Sequence, residues 1–127
     1  MRNGDIVKAK SSIPLVDHYA IFIKLDDGDH LLHNTPFKGN TISTWSEFFK
    51  DRELIYVQDS LISGISKEDL LNRFEAEEND WNLFTHDCEI FIENITGSKS
   101  KERQVEELYF VVSMLSLITI YLANKYN

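Results

Sequence analysis

Apolar and polar positions change their period near the middle of the chain. Asp5 to Lys10 alternates and reads as a strand. Ser11-Ser12-Ile13-Pro14 breaks it. His18 to Leu25 is a continuous apolar, aromatic and β-branched run, too continuous to be solvated on one face, which predicts a central strand. Asp26-Asp27-Gly28-Asp29 is a turn signal, His30 to Asn34 is the returning strand, and Pro36 and Gly39 close it. Trp45, Phe48 and Phe49 share helical spacing, so Thr44 to Lys50 reads as a short helix. Leu54 to Gln58 is another strand.

Beyond residue 65 the period is helical. Ser66 caps Lys67 to Glu77, with Asp69 three residues on and an apolar stripe of Leu70, Leu71 and Phe74. Asn79-Asp80 ends that helix and Trp81-Asn82-Leu83-Phe84 is an extended link. Asp87 is an N-cap for a helix from Cys88 to about Ile95, ended by Gly97. A last helix runs from about Lys101 to Asn124, and its sixteen residues Leu108 to Ala123 carry no charge. The pattern predicts an α+β fold, an antiparallel β-meander packed on helices, with a long apolar C-terminal helix. Residues 1–100 form the domain and 101–127 the terminal helix.

Composition narrows the partners. The 127 residues suffice for one domain with a core. A net charge of −8 without a basic run leaves no footprint for nucleic acid. The single cysteine permits no internal disulfide, and the N-terminus lacks the apolar core of a signal peptide, so a reducing cytosolic setting is expected.

That cysteine carries the candidate chemistry. Cys88 falls in the first turn of its helix, where the dipole favours thiolate, and His18 or His33 on the meander can supply a base. Asp87 and Glu89 act the other way, since neighbouring carboxylates raise a thiol pKa. The plainer alternative is a small buried hydrophobe beside Phe91. His86, two residues before Cys88, reads as a polar loop or cap residue. No His-x-x-x-His or Cys-x-x-Cys pair marks zinc, and Asp26, Asp27 and Asp29 lack the spacing of a calcium loop. Gly28 and Gly39 are turn glycines rather than a phosphate loop, and Glu75, Glu77, Glu78 and Asp80 form a solvated acidic stretch. No metal and no cofactor are expected.

Gly4-Asp5-Ile6-Val7, His18-Tyr19-Ala20-Ile21-Phe22-Ile23, Asp27-Gly28, Leu31-Leu32-His33-Asn34-Thr35-Pro36 and Asp87-Cys88-Glu89 with Phe91-Ile92 stand in a particular order. Together they resemble the lecithin–retinol acyltransferase family, and the resemblance covers nearly the whole chain. It implies a circularly permuted relative of the papain-like NlpC peptidases. It implies cysteine-dependent acyl transfer or hydrolysis on an acyl ester, thioester or amide through an acyl-cysteine, with acyl-lipids as the usual substrates. Cys88 would be the nucleophile, His18 the base and His33 the group that orients His18. His30 competes for that last part. His30 and His33 point to opposite faces of a strand, so only one shares the site.

Two positions depart from the family pattern. Asp87 stands where the family has Asn, and Ile90 where it has His after Cys-Glu. The alternatives are therefore a catalytically silent interaction protein that keeps the fold, or an amidase or peptidase of the wider papain-like class. Leu108 to Ala123 would span about 24 Å as a helix, against a hydrocarbon core of about 30 Å. Ser113, Ser116 and Thr119 draw a polar stripe along it. Packing on the domain, self-association and membrane anchoring are the three fates expected for this segment.

Overall fold

The computed structural model describes residues 1–10, 17–77, 87–98 and 103–126 and, within its last helix, the side chains of 112–125. The elements are β1 (Ile6–Lys10), β2 (Asp17–Leu25), β3 (Gly28–Thr35), β4 (Gly39–Thr44), α1 (Trp45–Phe48), β5 (Glu53–Gln58), α2 (Lys67–Ala76), α3 (Cys88–Thr96) and α4 (Arg103–Tyr126). The five strands form one antiparallel sheet in the order β4-β3-β2-β1-β5. The fold is α+β. Readings that fell on Ser11 to Pro14, on Glu78, Asn79 and Asp80, on Trp81 to Phe84 and on His86 lie outside the described residues.

The run in β2 is apolar throughout because both faces of the sheet are covered. Tyr19, Ile21 and Ile23 point to one side, where Ile6 and Leu32 join Leu70 of α2 and Phe91, Ile92 and Ile95 of α3. Ala20 and Phe22 point to the other, with Val7, Ala9 and Leu31, under Phe48 of α1. Each large apolar side chain so buried contributes about 1.5–3 kcal/mol. The β2–β3 hairpin turns through Asp26 and Asp27, between the paired residues Leu25 and Gly28.

The Gly4-Asp5 opening has a mechanical reason. Gly4 holds φ at +92°, and a Cβ there would lie 2.7 Å from the Ile62 carbonyl oxygen. This close approach lets the Ser60 hydroxyl donate to the Gly4 carbonyl at 2.7 Å and the Ser63 hydroxyl donate to the Asp5 carboxylate at 2.5 Å. The start of β1 is thereby fastened to the loop that follows β5.

Two sequence expectations need correction. Gly39 to Thr44 is a strand, and the helix after it has only four residues. Thr41, Ile42 and Thr44 favour extended backbone through their branched Cβ. Every residue of β4 keeps some exposure, so no apolar stripe announces it. The second correction concerns the long apolar helix. α4 is a single helix of 24 residues, but no helix among the described residues is long and apolar enough to cross a membrane. The uncharged run Leu108 to Ala123 has sixteen residues, short of the roughly 20 that a span needs. The side chains from Val112 to Lys125 are exposed. Thr119 turns its hydroxyl back to the Leu115 carbonyl at 2.8 Å.

Candidate functional site

Strand alternation brings two histidines together. His18 on β2 and His33 on β3 are both buried, and their rings meet under α1, with His18 Nε2 and His33 Nδ1 3.1 Å apart. The far nitrogen of His33, Nε2, is 2.8 Å from the Ser43 hydroxyl on β4. The rings are edge to face, at 90°. Phe48 fixes both: its ring stacks on His18 at 5.6 Å between centroids and meets the His33 ring edge to face at 5.1 Å. The Thr44 hydroxyl accepts from the Glu47 N–H while Glu47 reaches back to the Thr44 N–H. This capping box starts α1 at the place that turns Phe48 inward.

His30, the competitor, is elsewhere. Its ring sits at the hairpin tip, with Nδ1 2.8 Å from the Gly28 carbonyl oxygen and Nε2 3.6 Å from Asp27.

Cys88 opens α3. Asp87 is its N-cap, and one carboxylate oxygen accepts from the N–H groups of Glu89 and Ile90 at 2.9 Å each. The thiol packs on the α2–α3 side of the sheet, whereas the histidines lie on the α1 side. It meets the backbone N–H of Tyr19, the residue after His18. The paired residues of β2 and β3 run only from Ile21–Leu32 to Leu25–Gly28, so at Tyr19 the ladder has ended and a side chain can reach the backbone. Among the described residues no hydrogen bond joins the Cys88 sulfur to either histidine.

All three groups are held in their uncharged forms. Burial lowers His18 to about 3, helped by the facing charge of His33 and by Arg52. Burial lowers His33 to about 4, with Arg52 and Lys38 adding to it. Burial pushes the Cys88 thiol up to about 12, and Asp87 and Glu89 push the same way. The Tyr19 and Cys88 N–H groups oppose them and lose. Cys88 keeps partial exposure as a residue, but its sulfur is the packed part, and the sulfur sets the acidity. Helix-dipole help, worth about 0.3–1 kcal/mol, is small beside desolvation here.

The histidines make the protein acid-sensitive. The unfolded chain takes up protons below about pH 6.5 that the folded protein accepts only near 3 and 4. Their contribution is therefore complete above pH 6.5 and is lost as pH falls, by about 1.4 kcal/mol per pH unit and per histidine. The urea midpoint should fall steeply from pH 6.5 to 5, before carboxylates titrate, and a His33→Gln variant should show a shallower fall. A midpoint constant over that range would remove the argument.

Ser43, Phe48 and Arg52 belong to this neighbourhood and were not singled out by sequence. Arg52 lies four residues after Phe48. One guanidinium nitrogen donates to the Phe48 carbonyl at 3.1 Å, and its carbon lies 4.6 Å above the Phe48 ring. Only the i, i+4 spacing of an aromatic and an arginine hinted at this. Among the described residues no group of three His, Cys, Asp or Glu side chains is placed to hold a metal ion. No known family model, curated protein or solved structure matches the chain.

Proposed function

We propose that this chain performs cysteine-dependent acyl transfer or acyl hydrolysis, in the manner of the lecithin–retinol acyltransferase family that its sequence resembles. The observation that carries the reading is the His18–His33 hydrogen bond of 3.1 Å, with Cys88 set against the peptide that follows His18. For this chemistry the tautomers run one way. His18 Nε2–H donates to His33 Nδ1, and His33 Nε2–H donates to the Ser43 hydroxyl. His18 Nδ1 then holds the lone pair for the thiol proton, and because the thiol and the rings lie on opposite sides of the sheet, the transfer has to run around the end of the β2–β3 ladder.

The sulfur attacks the acyl carbonyl as it loses that proton to His18. The leaving alcohol, thiol or amine departs with the proton, and an acyl-cysteine remains. Water or a second alcohol or amine gives its proton to His18, attacks the acyl-cysteine, and the sulfur leaves as the regenerated thiol. His33 stabilises the transient imidazolium by accepting its Nε2–H.

The protonation states favour a second reading. Burial holds the thiol far above and the imidazole far below their ordinary values, so a thiolate–imidazolium pair is disfavoured in the resting site. Proton transfer must therefore accompany attack on a bound substrate. A protein that keeps the fold for interaction alone needs no such step.

Intact-mass spectrometry separates the two readings. The purified protein is incubated at pH 7 to 9 with phospholipid vesicles, a long-chain acyl thioester, an activated ester and a peptide amide. An adduct of acyl mass on Cys88 supports catalysis, and the donor that gives it identifies the substrate class. If Cys88 of the folded protein stays unmodified by all four, the interaction reading takes its place.

A further inference from the structure

Arg52 stands apart among the charged residues. It follows α1 and precedes β5, and it is half-buried. Among the described residues no carboxylate lies within ion-pair distance of its guanidinium. Its contacts go instead to one residue. It donates to the Phe48 carbonyl at the end of α1 and covers the Phe48 ring. That ring in turn stacks on His18 and meets the edge of His33.

We propose that Arg52 is a positioning residue for His18, acting through Phe48. The inference rests on the acyl-transfer reading for its consequence in catalysis, but its physical content does not. α1 is four residues long, too short to fix its own last turn. The Arg52 hydrogen bond takes up a helix-end carbonyl that has no partner within so short a helix. A cation over the ring face adds electrostatic attraction to the ring. Phe48 is thus clamped from its backbone and from its ring, and a clamped Phe48 leaves the His18 ring little freedom to turn. The His18 Nε2 contact to His33 is kept, and Nδ1 is kept aimed away from it.

The guanidinium also acts by its charge. Its charge adds to the effect of burial: a permanent cation near two neutral imidazoles makes a second positive charge beside it costly, and both rings stay neutral. Of the other charged or titratable groups, Lys38 before β4 acts on His33, Asp51 and Cys88 act on Arg52, and Asp87 and Glu89 at the start of α3 act on Cys88. Lys38 reinforces Arg52 at His33. Asp51 and an ionised Cys88 would act on the guanidinium in the opposite sense, favouring its charged form.

The test uses two substitutions in the full chain. Arg52→Gln keeps an N–H donor for the Phe48 carbonyl and removes the charge, and Arg52→Lys keeps the charge and loses the planar fork. The readouts are the imidazole nitrogen shifts of His18 and His33 across pH, which report both tautomer and titration, and the rate of acyl-adduct formation on Cys88. In Arg52→Gln both rings should titrate at higher pH than in the parent, with His33 moving more, and His18 should lose its single tautomer. Arg52→Lys should titrate as the parent does. Adduct formation should drop roughly tenfold to a hundredfold in Arg52→Gln and be largely restored in Arg52→Lys. A merely structural Arg52 would lower the melting temperature of Arg52→Gln and leave the titration and tautomer of the rings unmoved. That result overturns the proposal, whatever becomes of adduct formation. If the parent itself forms no adduct, the catalytic reading falls, and the nitrogen shifts still decide the role of Arg52.

Discussion

Cys88→Ser carries no acyl adduct and turns over acyl donors at least about a thousandfold more slowly than the parent, while keeping its fold. The reason is the base. An alkoxide is much harder to form than a thiolate, and a His18 held near pKa 3 is too weak a base to generate it. Stability should change by only about 1–2 kcal/mol, since the serine oxygen can still accept from the Tyr19 N–H. Cys88→Ala, which leaves that N–H facing a methyl group, should be the less stable of the two. Circular dichroism and a urea melt report the fold, and the mass of the intact protein reports the adduct. An adduct of unchanged yield in Cys88→Ser would place the nucleophile elsewhere and end the present assignment.

His18→Ala should slow adduct formation by about 10²–10⁴-fold, the usual contribution of a positioned base. It also opens a hole beside Phe48 and removes the partner of His33 Nδ1, so a loss of about 2–4 kcal/mol in stability is expected. His18→Gln separates the two effects, because it refills much of the space without restoring a base. His33→Ala should cost less in rate, because it removes an orienting group and leaves the base in place. His30→Ala should leave the rate unchanged, since that ring is spent on the hairpin tip against Gly28 and Asp27. A His30 variant slower than the His33 variant would show that the orienting role was given to the wrong histidine.

Much of this arrangement can be read from periodicity. The unbroken apolar run of β2 implies a strand covered on both faces, and it is so covered. Asp87 and Gly97 bracket α3 as cap residues should, with Gly97 at φ 72°. Strand parity implies that only one of His30 and His33 can face His18, but which one depends on the register of the sheet. That register is set by the two-residue turn at Asp26 and Asp27. Other features escape a local pattern. β4 is half-exposed along its whole length and offers no stripe. The side of the sheet that Cys88 meets depends on how α3 docks. Burial, the largest influence on Cys88, His18 and His33, is a property of the packed molecule. The opposed influences on the thiol were legible in Asp87, Glu89 and the helix start, whereas the desolvation that decides between them was not.

The sheet order has a consequence for how the chain assembles. β1 comes first in the sequence yet lies between β2 and β5, and its partner residues on β5 run from Gln58 opposite Ile6 to Glu53 opposite Lys10. During synthesis the β1–β2–β3–β4 meander can form from neighbours. One edge of β1 stays unpaired until β5 has been made, some forty residues of chain after the end of β1. Loop closure of that length is slow relative to hairpin formation. The nascent protein thus passes through a stage with a bare strand edge flanked by Ile6, Val7 and Ala9, the kind of surface on which chains associate wrongly. The bonds from Ser60 and Ser63 to Gly4 and Asp5 end that stage, because they latch the returning strand at the very start of the first one.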